Sequence, residues 1–397
     1  MANAFLQHDV RTGSAPRAPP RASGAGAFGV GAPLAVAAAL LGGILWRKAA
    51  KRRQPATIAS DGTTATITLA SDDVYLGMAR ARLAALVPPA HSGFRVGCLV
   101  IYTDARGAVR TLFGTNIETQ NIGGSLCAER CAMAALRARN DGAVVRALYL
   151  VADGDGHITP GMLCREFLHE FVSPTARIVM AALGGGKGGA PPHVSDLATL
   201  YPCPPLFRGV PRGRILAAMT MFAARGCADP GAVAGCAEGG LYARARAATA
   251  RDAKDCLYPV RLAAGVRFAD GRVALAAQSK ALEYGASLDC VAKLAPALEA
   301  QRERGNAPAV LLVCDQRGIL HAPLARARAY LFENGHGALA VFAHAPDGSL
   351  RRWTVDELVP DSPRVEELFG EAGLAGAPDG EFRHAPPTPS TGDDNRR

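Results

Sequence analysis

Short motifs from the first half of the chain return in the second half at a nearly constant offset, and this constrains the fold more than any other feature. Gly124-Ser125-Leu126-Cys127 is echoed 162 residues later by Ala286-Ser287-Leu288-Asp289. Asn116 falls opposite Gln278 at the same offset of 162, and Pro160 opposite Pro323 at 163. Val194-Ser195-Asp196-Leu197 is answered by Thr354-Val355-Asp356-Glu357-Leu358. A steady offset over several elements marks a duplicated domain. A chain of 397 residues has room for two cores plus tails.

Within one copy the periodicity switches repeatedly between helix and strand. Residues 72–87 carry Val74, Leu76, Met78, Leu83 and Leu86 at helical spacing, and Pro88-Pro89 ends the run. Phe94–Tyr102 reads as a strand, Asp104–Gly107 as a turn and Val109–Phe113 as the returning strand of a hairpin. Residues 126–139 predict an alanine-rich helix and Val144–Ala152 a buried strand. A helix opens after Pro160 and runs through Phe171, proline suiting a first-turn position. Ala176–Leu183 is the next strand, followed by the glycine run Gly184–Gly189 and a short segment closing near Leu206. This order describes an α/β sandwich. The hairpin signal returns as Arg261–Phe268, a turn at Asp270-Gly271, and Arg272–Ala277.

The ends of the chain stand apart. Ala25–Trp46 holds no charged residue over 22 positions and is followed by Arg47, Lys48, Lys51, Arg52 and Arg53. A span of roughly 20 residues crosses a bilayer, and the excess cations after it would face the cytosol. The competing reading is a mitochondrial presequence, with Arg11, Arg17 and Arg21 among alanine and serine, and a plain tail in a cytoplasmic protein is the third alternative. Residues 1–57 are therefore read as a targeting or anchor segment, 58–210 and 211–375 as the two copies, and 376–397 as a disordered tail. The net charge is +9, but no basic stripe interleaves with aromatics, so nucleic acid is not an expected partner. Ten scattered cysteines form no disulfide-like framework, which points to a reducing compartment.

Chemistry concentrates at two predicted helix starts. Cys127-Ala128-Glu129-Arg130 puts a thiol and a carboxylate at one, where the helix dipole favours a thiolate. Pro160-Gly161-Met162-Leu163-Cys164-Arg165 opens the other with a second cysteine. Two such helix tips aimed at one point could hold a thiolate-bound zinc with a glutamate beside it for proton transfer.

Phe113-Gly114-Thr115-Asn116-Ile117-Glu118, a nine-residue step to Cys127, Cys-Ala-Glu-Arg, and the later Pro-x-x-x-Cys-Arg together resemble the cytidine deaminase signature. The similarity also takes in Ser92-Gly93-Phe94-Arg95-Val96-Gly97 and Leu168-His169-Glu170-Phe171, and covers roughly residues 70–210. It implies a three-layer α/β/α sandwich, here duplicated in tandem as in the two-domain class whose second copy is catalytically empty. It implies Zn2+ held by Cys127 and Cys164, with activated water attacking C4 of the cytosine ring while Glu129 protonates N3 and then the departing ammonia. Phe94, Asn116 and Glu118 match the nucleoside-binding positions, the last two holding ribose hydroxyls, and Arg130 would offset the thiolate charge. The resemblance implies cytidine or deoxycytidine as substrate, a role in pyrimidine salvage and a homodimer.

One departure bears on the metal. The family's first cysteine of the Pro-Cys-x-x-Cys run is Gly161 here, which offers no donor, whereas catalytic zinc sites ordinarily use three protein ligands. Cys131, one turn beyond Cys127, and His157 are the candidates to fill the place; Cys98 and Cys203 read as core and loop residues. In the second copy Asp289, Val291 and Ala327 stand opposite Cys127, Glu129 and Cys164, Leu324 opposite Gly161, and Lys280 replaces Glu118, so no metal chemistry is expected there. Gly184–Gly189 lacks the Gly-Lys-Ser/Thr ending of a phosphate loop, and Cys227 and Cys236 lack zinc-finger spacing. Three functions remain open: an active nucleoside deaminase, a deaminase-fold pseudoenzyme that binds or scaffolds, and a polynucleotide-editing deaminase, which would want a basic groove.

Overall fold

The computed structural model describes residues 69–139, 142–184 and 190–363. The proposed anchor at 25–46, most of the glycine run and the tail at 376–397 lie outside the described residues. Among those described, no helix is long and apolar enough to cross a membrane.

The first half begins with α1 (Asp72–Ala84), whose leading Asp72 and Asp73 sit where the helix dipole is positive. Tyr75, Leu76, Ala79 and Leu83 form its buried stripe and pack on one face of a five-stranded sheet. That sheet contains β1 (Val96–Thr103), β2 (Val109–Thr115), β3 (Val144–Ala152), β4 (Arg177–Ala182) and β5 (His193–Asp196), in the order β2-β1-β3-β4-β5. Alternation along β1 divides the core: Leu99 and Ile101 face α1, whereas Cys98, Val100 and Tyr102 face α2 (Ala128–Arg139) and α3 (Met162–Phe171). Helices thus cover both faces, giving the three layers expected. The parallel pair β3–β4 is joined through α3, as a parallel crossover requires.

Several boundaries move by a residue or two. The expected helix over 126–139 starts at Ala128, because Leu126 exchanges backbone hydrogen bonds with Ile117 and stays extended. Its close approach to β2 depends on Gly114, where a Cβ would lie 2.5 Å from the Ala132 nitrogen and 2.8 Å from the Ala128 oxygen. A side chain there would push the start of α2, and the residues it carries, away from the sheet.

The second half repeats the plan. The sheet runs β7-β6-β8-β10-β11, made of β6 (Leu262–Phe268), β7 (Val273–Ala277), β8 (Pro308–Asp315), β10 (Ala340–His344) and β11 (Leu350–Thr354), with β9 (Leu320–His321) added against β8. Strand senses match the first sheet, including the single parallel pair, β8–β10. The bridge Ser279–Leu288 reproduces Ile117–Leu126 at an offset of 162. Here α6 (Leu241–Ala248) covers one face and α8 (Ala325–Glu333) the other.

Both sheets belong to one compact unit. α3 and α8 pack against each other, and each carries a buried arginine. Arg165 donates to the carbonyl of Pro160 (2.7 Å) and that of Leu200 (2.8 Å) within its own half, then to Pro360 O (2.6 Å) and Ser362 Oγ (2.9 Å) in the other. Arg328 does the converse, donating to Pro323 O (2.7 Å) and Leu358 O (3.3 Å), then across to Pro202 O (2.7 Å) and Cys203 O (2.6 Å). The receiving loops both turn through a left-handed non-glycine residue, Cys203 (φ 49°) and Asp361 (φ 52°). Two guanidinium groups out of water are tolerated only because carbonyls and hydroxyls take up their N–H groups.

Candidate active site

The tips of α2 and α3 meet beneath the edge of the first sheet. Cys127 Sγ, Cys164 Sγ and a Glu129 carboxylate oxygen lie within 4.8 Å of one another. Cys164 is fully buried and Glu129 is 3% exposed. The hydrogen bond from Cys164, opposed by burial and helped by Arg130, pulls the Cys127 thiol down to about 6. The same contact, with burial, holds Cys164 well above the ordinary thiol range. Burial, reinforced by the Cys127 charge, pushes the Glu129 carboxyl up to about 7. Arg130 donates to Ser125 O (3.1 Å) and approaches Cys127 Sγ at 3.7 Å, so it stands where thiolate charge accumulates.

The donors suit zinc: two sulfurs are common zinc ligands, and a carboxylate beside them is placed to handle protons. No other group of three candidate donors converges among the described residues. Gly161 caps α3 with φ −61° and ψ 159°, and a Cβ built on it would meet nothing within 4 Å. The missing donor therefore leaves room rather than a substitute. Cys131 is not part of the converging group. His157 is stacked on His193 with ring centroids 4.6 Å apart, and burial lowers its pKa. Neither residue fills the place. Cys98 is buried in the core, and Cys203 lies in the loop that receives Arg328.

The cluster opens into a cavity with two chambers. The inner one, about 210 Å³, is lined by Cys127, Glu129 and Gly161 and by Asn116 and Glu118. The outer one, about 660 Å³, shares Asn116, Glu118 and Gly161 and adds Phe94. Its far wall comes from the second half: Phe332, Glu333, Val359 and Pro363. Volumes of this order are usual for small-molecule sites.

The residues expected to bind substrate are gathered here, yet their side chains are engaged differently. Glu118 is held by Ser92, which donates from its hydroxyl (2.5 Å) and its backbone nitrogen (2.9 Å). Those bonds keep its carboxyl below the usual range despite some burial. Asn116 is stapled to the start of β1, accepting from Val96 N (2.9 Å) and donating to Phe94 O (2.9 Å). It fixes the loop that presents Phe94, which is 38% exposed. Nothing in the motif spacing assigns Ser92 this task or brings Phe332 and Glu333 to the cavity.

Solved structures similar to part of this chain are cytidine deaminases. The enzyme from Burkholderia pseudomallei shares 24% identity over 34% of this chain and 99% of its own, with a TM-score of 0.29. That from Mycobacterium leprae shares 28% identity over 34% of this chain and 99% of its own, at 0.26. That from Mycobacterium tuberculosis shares 24% over 31% and 93%, at 0.27. No family model and no curated protein matches the chain. With scores this low, the functional weight rests on the residues of the site itself.

Proposed function

We propose that residues 58–210 form a zinc-dependent hydrolytic deaminase domain converting cytidine or deoxycytidine to the uracil nucleoside, and that residues 211–375 are a degenerate tandem copy. The observation carrying this reading is the convergence of Cys127, Glu129 and Cys164 at the floor of a cavity whose wall holds Phe94, Asn116 and Glu118. Cys127 and Cys164 would hold the metal. Zinc so held supplies a nucleophile at neutral pH by lowering the pKa of a water molecule towards about 7.

The chain's own groups do the rest. A buried carboxyl beside the two thiols is placed to carry a proton between water and the ring, the work of a general acid and base. Glu129 would deliver a proton to ring N3 and later to the departing amino group. Arg130 offsets the thiolate charge. Glu118, oriented by Ser92, offers its oxygens to sugar hydroxyls, while Asn116 holds the loop and Phe94 packs on the nucleoside. Closure by the second half shields the ring from bulk water. Pairing of chains as a homodimer belongs to the same proposal.

The absent donor at Gly161 favours a second reading, a pseudoenzyme that binds a nucleoside without turnover. Incubation of the full chain with cytidine and zinc, followed by chromatography for uridine, separates the two. Uridine formed by wild type and lost in Glu129→Gln supports the enzyme. Binding of cytidine with no uridine from either protein supports the pseudoenzyme.

A further inference from the structure

A second cavity of about 460 Å³ lies in the C-terminal half, where the internal repeat places the counterpart of the active site. Asp289, opposite Cys127, and Leu324, opposite Gly161, both line it. Its outer wall comes from the first half through Glu170 and Pro205. Glu333 and Pro363 take the matching places in the first cavity. Each half therefore closes the other's cavity, and losing the thiols has not filled the space.

The polar groups define what fits. Asp289 Oδ1 accepts from the backbone of Val291 (2.7 Å) and Ala292 (3.2 Å), so the carboxylate is fixed at the cavity wall by one oxygen. Its other oxygen has no hydrogen-bond partner among the described residues. His321 is held by Asp315 at 2.8 Å, and its ring meets that of Phe207 edge-on at 6.1 Å between centroids. Both rings line the cavity with Tyr258. Arg208, the only cation among the lining residues, is tied to Val172 O at 3.0 Å. The sugar-binding arrangement is gone. Lys280, in the place of Glu118, is buried in an ion pair with Asp252 at 3.0 Å, and neither it nor Gln278 lines the cavity.

We propose that this cavity is a non-catalytic site for a small planar heteroaromatic ring bearing an amino group, an aminopyrimidine base without its sugar. Aromatic and apolar walls take the ring faces, and the fixed carboxylate accepts from the amino group. A carboxylate fixed at the wall with one oxygen unpaired disfavours a ring that turns an oxygen, in place of an amino group, towards it. The site does not depend on turnover in the first cavity.

Calorimetric titration of the full chain with cytosine tests it, with uracil for comparison. One cytosine per chain is expected in the second cavity, with uracil at least tenfold weaker. Leu324→Trp should abolish binding by filling the space. Asp289→Asn, which keeps the backbone-capping oxygen, should weaken it at least tenfold, and Gly161→Trp, which fills the first cavity, should leave it unchanged. If Leu324→Trp fails to fold by circular dichroism, the Asp289→Asn and uracil results decide. No cytosine binding, binding unchanged in Asp289→Asn, or binding lost in a folded Gly161→Trp overturns the proposal. A chain that binds cytosine here yet forms no uridine from cytidine refutes the deaminase reading alone.

Discussion

Restoring a thiol at Gly161 should tighten zinc binding by about two orders of magnitude. The backbone there already has φ −61° and ψ 159°, which any residue adopts, and the Cβ direction is open for 4 Å. No repacking opposes Gly161→Cys. The new thiol would sit at the cap of α3, where the helix dipole favours a thiolate. Structural zinc sites with four ligands bind with about 10–16 kcal/mol, or roughly 3 kcal/mol per ligand. At about 1.4 kcal/mol per tenfold, that is on the order of a hundredfold. Competition against a chromogenic chelator at fixed pH measures the change directly. An affinity within about threefold of wild type would refute the reasoning, since it would mean that zinc does not sit between the two helix tips.

Three further outcomes follow from individual contacts. In metal-free protein the folded pKa of Glu129, about 7, exceeds its unfolded value of 4.5. Its stabilising contribution is thus whole below 4.5 and lost as pH rises to about 7, a fall of about 3 kcal/mol that Glu129→Gln should remove in urea titrations across that window. Arg165→Met and Arg328→Met each orphan carbonyls in both halves and should cost about 3 kcal/mol or more by urea denaturation, whereas a loss under about 1 kcal/mol would show that the clasp is incidental. Ser92→Ala removes the hydroxyl holding Glu118 and should raise the cytidine KM roughly tenfold with kcat within about twofold; a fall in kcat alone would place Ser92 in the chemistry instead.

Much of the first half was legible in the residues. The apolar run from Phe94 to Tyr102 and the helical spacing of Leu76 and Leu83 pointed to the hairpin and α1, although the buried stripe of α1 is completed by Tyr75 and Ala79 and Val74 is exposed. Convergence of Cys127, Glu129 and Cys164 followed from two helix-start signals. Strand β5, His193–Asp196, is short, polar and half-buried, so it leaves no apolar run to read. Two long-range features were silent for a different reason. Arg328 finds its carbonyls 125 and 126 residues away, and Phe332 and Glu333 reach the first cavity from the other half. Such contacts come from packing of the halves and have no local pattern. The offset of 162 pairs the bridges Ile117–Leu126 and Ser279–Leu288, but the crossed walls of the two cavities required coordinates.

X-ray absorption at the zinc edge of the purified full chain tests the central claim most directly. The account predicts one zinc per chain with two sulfur neighbours near about 2.3 Å and the remaining neighbours oxygen or nitrogen, and loss of sulfur scattering in the double variant Cys127→Ser, Cys164→Ser. A folded protein without zinc, or zinc whose sulfur shell survives that double substitution, would contradict it.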